Sequence, residues 1–160
     1  MKKSKRKKKS NSWKIKQHRD PFFKKSRTLG YRSRASFKLI ELNEKFKFIH
    51  KDTKLLDLGC SPGGWSQVAS NIISSGKILS IDIKPMDSIK NVKFINHDIF
   101  DQITKEKIRT FFNGKLDVIT SDMAADTTGN RSLDCIRTNQ LCAEALALSS
   151  KMLKPRGVFV

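Results

Sequence analysis

Residues 57–67 read Asp-Leu-Gly-Cys-Ser-Pro-Gly-Gly-Trp-Ser-Gln and follow the apolar pair Leu55–Leu56. An apolar run that enters a glycine-rich turn and opens a helix is the usual seat of a nucleotide-like ligand. Glycines there let backbone N–H groups approach a ligand where a side chain would stand in the way. Spacing excludes two familiar variants. Gly59 and Gly64 have the separation of a phosphate-binding P-loop, but Trp65 occupies the place of its lysine. The dinucleotide pattern needs Gly-x-Gly-x-x-Gly, whereas the glycines here fall at 59, 63 and 64. What remains is a ligand with a nucleoside and no polyphosphate, and S-adenosyl-L-methionine has that constitution.

Asp57, Asp82, Asp98 and Asp122 all fall at the carboxyl ends of strand-like runs, where open α/β sheets bind ligands. One such Asp is usually a helix cap or a turn residue. Four of them after a glycine loop point to a ligand instead. Asp82 stands 18 residues beyond Gly64, close to the spacing at which a carboxylate accepts ribose hydroxyls. Cys60, inside the loop, reads as a small packing residue, because the chemistry of such loops uses backbone groups.

Holding those acids in place requires strands that alternate with helices. Leu39, Leu42 and Phe46 recur at helical spacing, predicting a helix over 36–46. Strands are expected over 54–58, 77–82, 92–96 and 116–121, with helices over 65–74, 101–112 and 133–153. Pro155–Gly157 should turn into a last strand beginning near Val158. The pattern implies an α/β, Rossmann-like domain over residues 35–160, with a mainly parallel sheet and helices on both faces. The strand from Val158 reads as unfinished at Val160, so the C-terminal strands of the domain are expected to be missing.

The 33 Lys+Arg and 15 Asp+Glu give a formal net charge of +18, and its distribution is uneven. Residues 1–34 carry 15 basic residues against Asp20 alone, leaving a nearly neutral remainder. Self-repulsion should keep Lys2 to Lys9 disordered when free, and residues 1–34 read as a largely disordered basic arm. Trp13, Phe22, Phe23 and Tyr31 interleave with the charges and offer stacking surfaces, which favours RNA over a solvated tail. No amphipathic apolar face, acylation signal, secretory h-region or membrane-spanning stretch is read, so no membrane partner is expected. Cys60, Cys135 and Cys142 form no Cys-x-x-Cys pair and His18, His50 and His97 lie far apart, so neither a disulfide framework nor a metal site is expected. Free thiols suit the cytoplasm.

The block 57–67 resembles motif I of the FtsJ-type ribosomal RNA 2′-O-ribose methyltransferases. The resemblance continues in register through Arg32-Ser33-Arg34-Ala35-Ser36-Phe37-Lys38-Leu39, Pro85-Met86-Asp87 and Ser121-Asp122-Met123-Ala124, and it covers nearly all of the chain from Trp13 to Val160. It implies that Gly63 and Trp65 line the methionine end of S-adenosyl-L-methionine, that Asp82 holds its ribose and Asp98 its adenine amine. Asp122 would border the cofactor as well as the reaction, and Arg32 and Arg34 would face RNA. Without the resemblance, Trp65 reads as a core aromatic and Lys38 as a solvent-facing helix lysine.

The reaction so implied is methyl transfer to the ribose 2′-hydroxyl of a nucleotide, a uridine in 23S rRNA of the large ribosomal subunit, by a monomeric enzyme. Such a hydroxyl is a very weak acid, so the protein must align it and help remove its proton. The resemblance assigns that work to a Lys-Asp-Lys-Glu set whose first two members match Lys38 and Asp122. The second lysine, the general base, and the glutamate are expected beyond Val160. The chain also departs from the pattern: Ala125-Asp126 replaces Pro-Asn, which should loosen the loop carrying Asp122 and add negative charge beside RNA. The alternatives are a catalytically inactive RNA- or ribosome-binding protein, a small basic ribosome or nucleoid component, or a methyltransferase acting on tRNA or mRNA caps.

Overall fold

The computed structural model describes residues 20–160, so Lys2–Lys9, Trp13 and the expected disorder around them lie outside the described residues. The described chain opens at Asp20. Its carboxylate accepts the N–H groups of Phe22 at 2.9 Å and Phe23 at 3.4 Å, and Pro21 takes the first helical position, so helix α1 runs over Pro21–Thr28. α1 packs on the next helix, α2 (Ala35–Phe46), with the Phe22 and Phe37 rings 6.0 Å apart and Lys25 Nζ 5.1 Å from the Phe37 centroid. The arm expected over 1–34 therefore overlaps the fold. Aromatic packing and a capped helix start outweigh charge repulsion from Asp20 onward.

Five parallel strands make one sheet in the order β3-β2-β1-β4-β5, with β1 at Lys54–Leu58, β2 at Lys77–Asp82, β3 at Val92–Asn96, β4 at Leu116–Ser121 and β5 at Leu153–Phe159. Three more helices connect them: α3 (Gly64–Ile72), α4 (Gln102–Phe112) and α5 (Arg131–Met152). Side chains alternate across each strand, so the sheet feeds two cores. Leu56, Leu58, Leu79 and Ile119 pack with Ile108 and Phe112 of α4 and with Leu148 of α5. Leu55, Ile78 and Val118 pack on the opposite face with Leu39 of α2 and Trp65 and Val68 of α3. This is the α/β architecture with both faces covered that the alternating pattern implies.

Helix ends shift by one or two residues from expectation, and two boundaries differ for an evident physical reason. Asn130 caps α5 by accepting from the N–H groups of Ser132 and Leu133, so the helix starts ahead of its first apolar residue. Pro155–Gly157, expected as a turn, lies inside β5. Leu153 pairs with Leu116 and Val158 with Val118, so the extra residues bulge outward, with Arg156 at φ 65°. Pro155 is tolerated because it falls in that bulge, between the Leu153 and Val158 pairings to β4. Among the described residues no helix is long and apolar enough to cross a membrane.

Candidate active site

The loop between β1 and α3 turns sharply because two of its glycines take the left-handed region, Gly59 at φ 72° and Gly63 at φ 108°. Neither position has room for a side chain. A Cβ on Gly59 would run into Met123, and one on Gly63 would come within 2.8 Å of Met86 Sδ and 2.9 Å of Ile89 Cδ1. The loop backbone is thereby pressed between the segments that follow β4 and β2.

Asp82, the last residue of β2, is held from both sides. Its Oδ2 accepts the N–H of Ser61 and its Oδ1 the N–H of Lys84, each at 2.8 Å. An ionised carboxylate has about four acceptor positions, so capacity for ribose hydroxyls remains on the exposed side. Asp98 follows β3 and accepts from the N–H of Phe100 at 3.0 Å. Asp82, Asp98 and Asp122 line one cavity of about 400 Å³, walled by Ile99, Phe100 and Met123. That combination of three carboxylates and an apolar wall suits an adenosine moiety.

Asp122 stands just past β4 and accepts a hydrogen bond from Lys38 Nζ of α2 at 3.0 Å. It also borders a second cavity of about 330 Å³, between the glycine loop and the start of α2, lined by Phe23, Arg34, Cys60 and Trp65. The two cavities share Gly59, Ser61 and Asp122. Asp122 thus sits where they meet, and Lys38, which lines neither cavity, reaches it from α2.

Three residues singled out from the sequence border only the second cavity and are largely buried. Asp57 does not reach the first cavity: it faces the α3 side of the sheet, 1% exposed, and accepts from Ser66 Oγ at 2.5 Å and Thr120 Oγ1 at 3.0 Å. Strand parity turns it inward with Leu55, so it braces the loop from beneath. Burial pushes its pKa up to about 6, against the opposing effect of those two hydroxyls. The Trp65 side chain belongs to the core, its indole N–H donating to the Ala35 carbonyl at 2.7 Å. Its remaining polar group near the loop is the backbone N–H in the first turn of α3. Burial also pushes the Cys60 thiol up, in keeping with a packing residue.

The two arginines ahead of α2 behave differently. Arg34 is exposed and pairs with Asp20, the cap of α1. Arg32 turns back onto the protein, with Nη1 donating to the Asp87 carbonyl and Nη2 to the Ser88 carbonyl, each at 2.7 Å.

Lys84 and Asp126 escaped the sequence reading as a pair. Lys84 Nζ donates to Asp126 Oδ1 at 2.7 Å at the mouth of the first cavity, and Arg137 Nη1 donates to the Asp126 carbonyl at 3.2 Å. The charge expected to burden the RNA side is therefore compensated, and Lys84 holds the Asp126 carboxyl below the usual carboxylate range. The two residues are 42 positions apart, and no local pattern announces the contact. Among the described residues no group of three or more His, Cys, Asp or Glu is placed to hold a metal ion.

Residues 31–160 match the FtsJ-like methyltransferase family. The chain is 44% identical over 157 residues to the ribosomal RNA large subunit methyltransferase E of Rickettsia akari (strain Hartford), covering 94% of this chain and 69% of that protein. It is likewise 44% identical over 151 residues to the protein of the same name from Pelagibacter ubique (strain HTCC1062), covering 94% and 74%. A crystal structure of a ribosomal RNA methyltransferase from Plasmodium falciparum aligns with a TM-score of 0.72 at 34% identity, over 81% of this chain and 76% of that one. The MycE methyltransferase, solved with Mg and SAH, aligns at 0.52 with 16% identity, over 78% and 31%, and shares the fold alone.

Proposed function

We propose that this chain, which belongs to the FtsJ-like methyltransferase family, transfers a methyl group from S-adenosyl-L-methionine to a ribose 2′-hydroxyl of large-subunit 23S rRNA, at a uridine. The observation that carries this reading is Asp122, shared by two cavities and hydrogen-bonded by Lys38, with one cavity suited to the cofactor and one open to an acceptor nucleotide. The relatives named as large-subunit methyltransferases support the substrate, and the basic residues ahead of the fold supply charge for it.

The residues fit the cofactor. Asp82 would hold the ribose and Asp98 the adenine amine, while Gly63 and the Trp65 backbone would meet the methionine end. Bound there, S-adenosyl-L-methionine supplies a methyl group on a sulfonium, an activated leaving group. The protein's task is then positional and electrostatic. Methyl transfer to O2′ would leave the sulfur as a neutral thioether and send the hydroxyl proton to bulk water. Lys38, oriented by Asp122, places positive charge beside the oxygen as it turns negative. Arg34 faces RNA phosphate at the rim. The chain would act as a monomer, and the proposed substrate places the activity in the cytoplasm.

The test is transfer of labelled methyl groups to large ribosomal subunits that lack the modification, followed by alkaline hydrolysis. A 2′-O-methyl group blocks cleavage of its own phosphodiester, so the label should appear in an alkali-resistant dinucleotide. Label in single nucleotides would refute the ribose assignment. RNA binding with no transfer would favour the binding-protein alternative.

A further inference from the structure

Arg32 lies in a segment whose charge reads as RNA-facing, yet its guanidinium points into the protein. Nη1 and Nη2 fork onto the adjacent carbonyls of Asp87 and Ser88 at 2.7 Å each, and Nη1 also reaches the Pro62 carbonyl at 3.4 Å. Its backbone N–H donates to Gln67 Oε1 at 3.0 Å, and Gln67 Nε2 donates to the Gly30 carbonyl at 2.9 Å. Arg32 is therefore tied at once to the glycine loop, to helix α3 behind it and to the connection between β2 and β3.

That connection begins at Asp82 and has no regular structure of its own. Ser61 anchors its start, with its N–H on Asp82 Oδ2 and its Oγ on the Pro85 carbonyl at 3.1 Å. Met86 and Ile89 then cover Gly63 so closely that a Cβ on that glycine would also come within 3.1 Å of Arg32 Cδ. A planar fork is the side chain suited to two neighbouring carbonyls, and a lysine ammonium reproduces that geometry poorly.

We infer that Arg32 is a positioning residue for the cofactor, holding the connection after Asp82 against the glycine loop at Gly63, and that RNA contact in this segment falls to Arg34. This rests on the reading of Gly63 and Asp82 as cofactor-binding residues.

The experiment compares Arg32→Gln, Arg32→Lys and Arg34→Gln in the full chain. Calorimetry without RNA measures S-adenosyl-L-methionine affinity, and filter binding over a salt series measures affinity for a large-subunit rRNA fragment. Arg32→Gln should weaken cofactor binding about tenfold or more, since charged hydrogen bonds are lost, while RNA affinity and salt slope hold. Arg32→Lys should recover little, because charge alone does not replace the fork. Arg34→Gln should show the opposite split. Unchanged cofactor affinity in Arg32→Gln, restoration by lysine, or an RNA loss as large as the cofactor loss would each overturn the inference. Failure of the wild-type chain to bind S-adenosyl-L-methionine would instead overturn the cofactor reading on which it rests.

Discussion

Lys38 and Asp122 stand 84 positions apart in the chain, and the fold brings them within 3.0 Å of each other. One comes from the first half of α2 and the other from the residue past β4. The sheet order sets β4 beside β1, and α2 packs over that same edge of the glycine loop. A cation thus meets its orienting carboxylate, and that carboxylate borders both cavities.

Replacing Lys38 by Ala should cut the methyl-transfer rate about a hundredfold or more, the scale of removing one group that stabilises a developing negative charge. Cofactor affinity should stay nearly intact, because Lys38 does not line the first cavity. Single-turnover transfer and calorimetry on the same preparation check both parts. An equal loss of cofactor affinity would move Lys38 out of the reaction and into binding.

Asp82→Ala should weaken S-adenosyl-L-methionine binding by about 1.5–3 kcal/mol, the worth of a hydrogen bond to a charged group. The change also strips the partners from the Ser61 and Lys84 N–H groups, so Asp82→Asn should lose less than Ala. Isothermal titration of the three forms reads the order directly. Equal dissociation constants would end the ribose assignment.

Asp57 predicts a pH dependence of stability. Its folded pKa is raised to about 6, so between the ordinary carboxylate range and that value the native state binds more protons than the unfolded chain. Stability from this group is therefore present at low pH and is lost as pH rises through about 6. Ionised Asp57 costs the fold on the order of 3 kcal/mol at neutral pH. Asp57→Asn removes the titration, so its stability relative to wild type should improve from about pH 4 to about pH 7. Urea unfolding at several pH values measures the difference, and a constant difference would mean that the buried carboxyl does not titrate in this range.

Residues 1–19 hold ten basic side chains and no acidic one. Deleting them keeps every described residue from Asp20 onward. RNA affinity should fall and its dependence on salt should flatten, because fewer counterions are released. S-adenosyl-L-methionine affinity should not change. A salt slope equal to that of the full chain would show that these charges stay solvated when RNA binds.

Much of this molecule was legible in the residues alone, for reasons that are local. The strands over 54–58, 77–82, 92–96 and 116–121 coincide with the structure, since each is a short apolar run with clear ends. The glycine loop was legible because few residues accept positive φ or backbone pressed close on both sides. Asp82, Asp98 and Asp122, which line one cavity, were legible because each comes at a strand's end or within two residues past it. Asp57 was not, although it belongs to the same series. It precedes the strand's last residue, and the hydroxyls that claim it come from α3 and β4. The start of α1 carried a readable signal in Asp20-Pro21, but the surrounding charge obscured it.

The contacts of Arg32, Trp65 and Asp126 were set only by tertiary structure. Their partners are Asp87 and Ser88, Ala35, and Lys84, all tens of positions away. Residue type and spacing determined the elements, the turn and the acids that can face a ligand, because those depend on periodicity and backbone freedom. The order of the strands decided which loops lie side by side, and with them which charges are spent inside the protein and which stay open for a partner. A side chain's chemistry is local, but its use depends on the neighbour that satisfies its hydrogen bonds, and that neighbour is chosen by the fold.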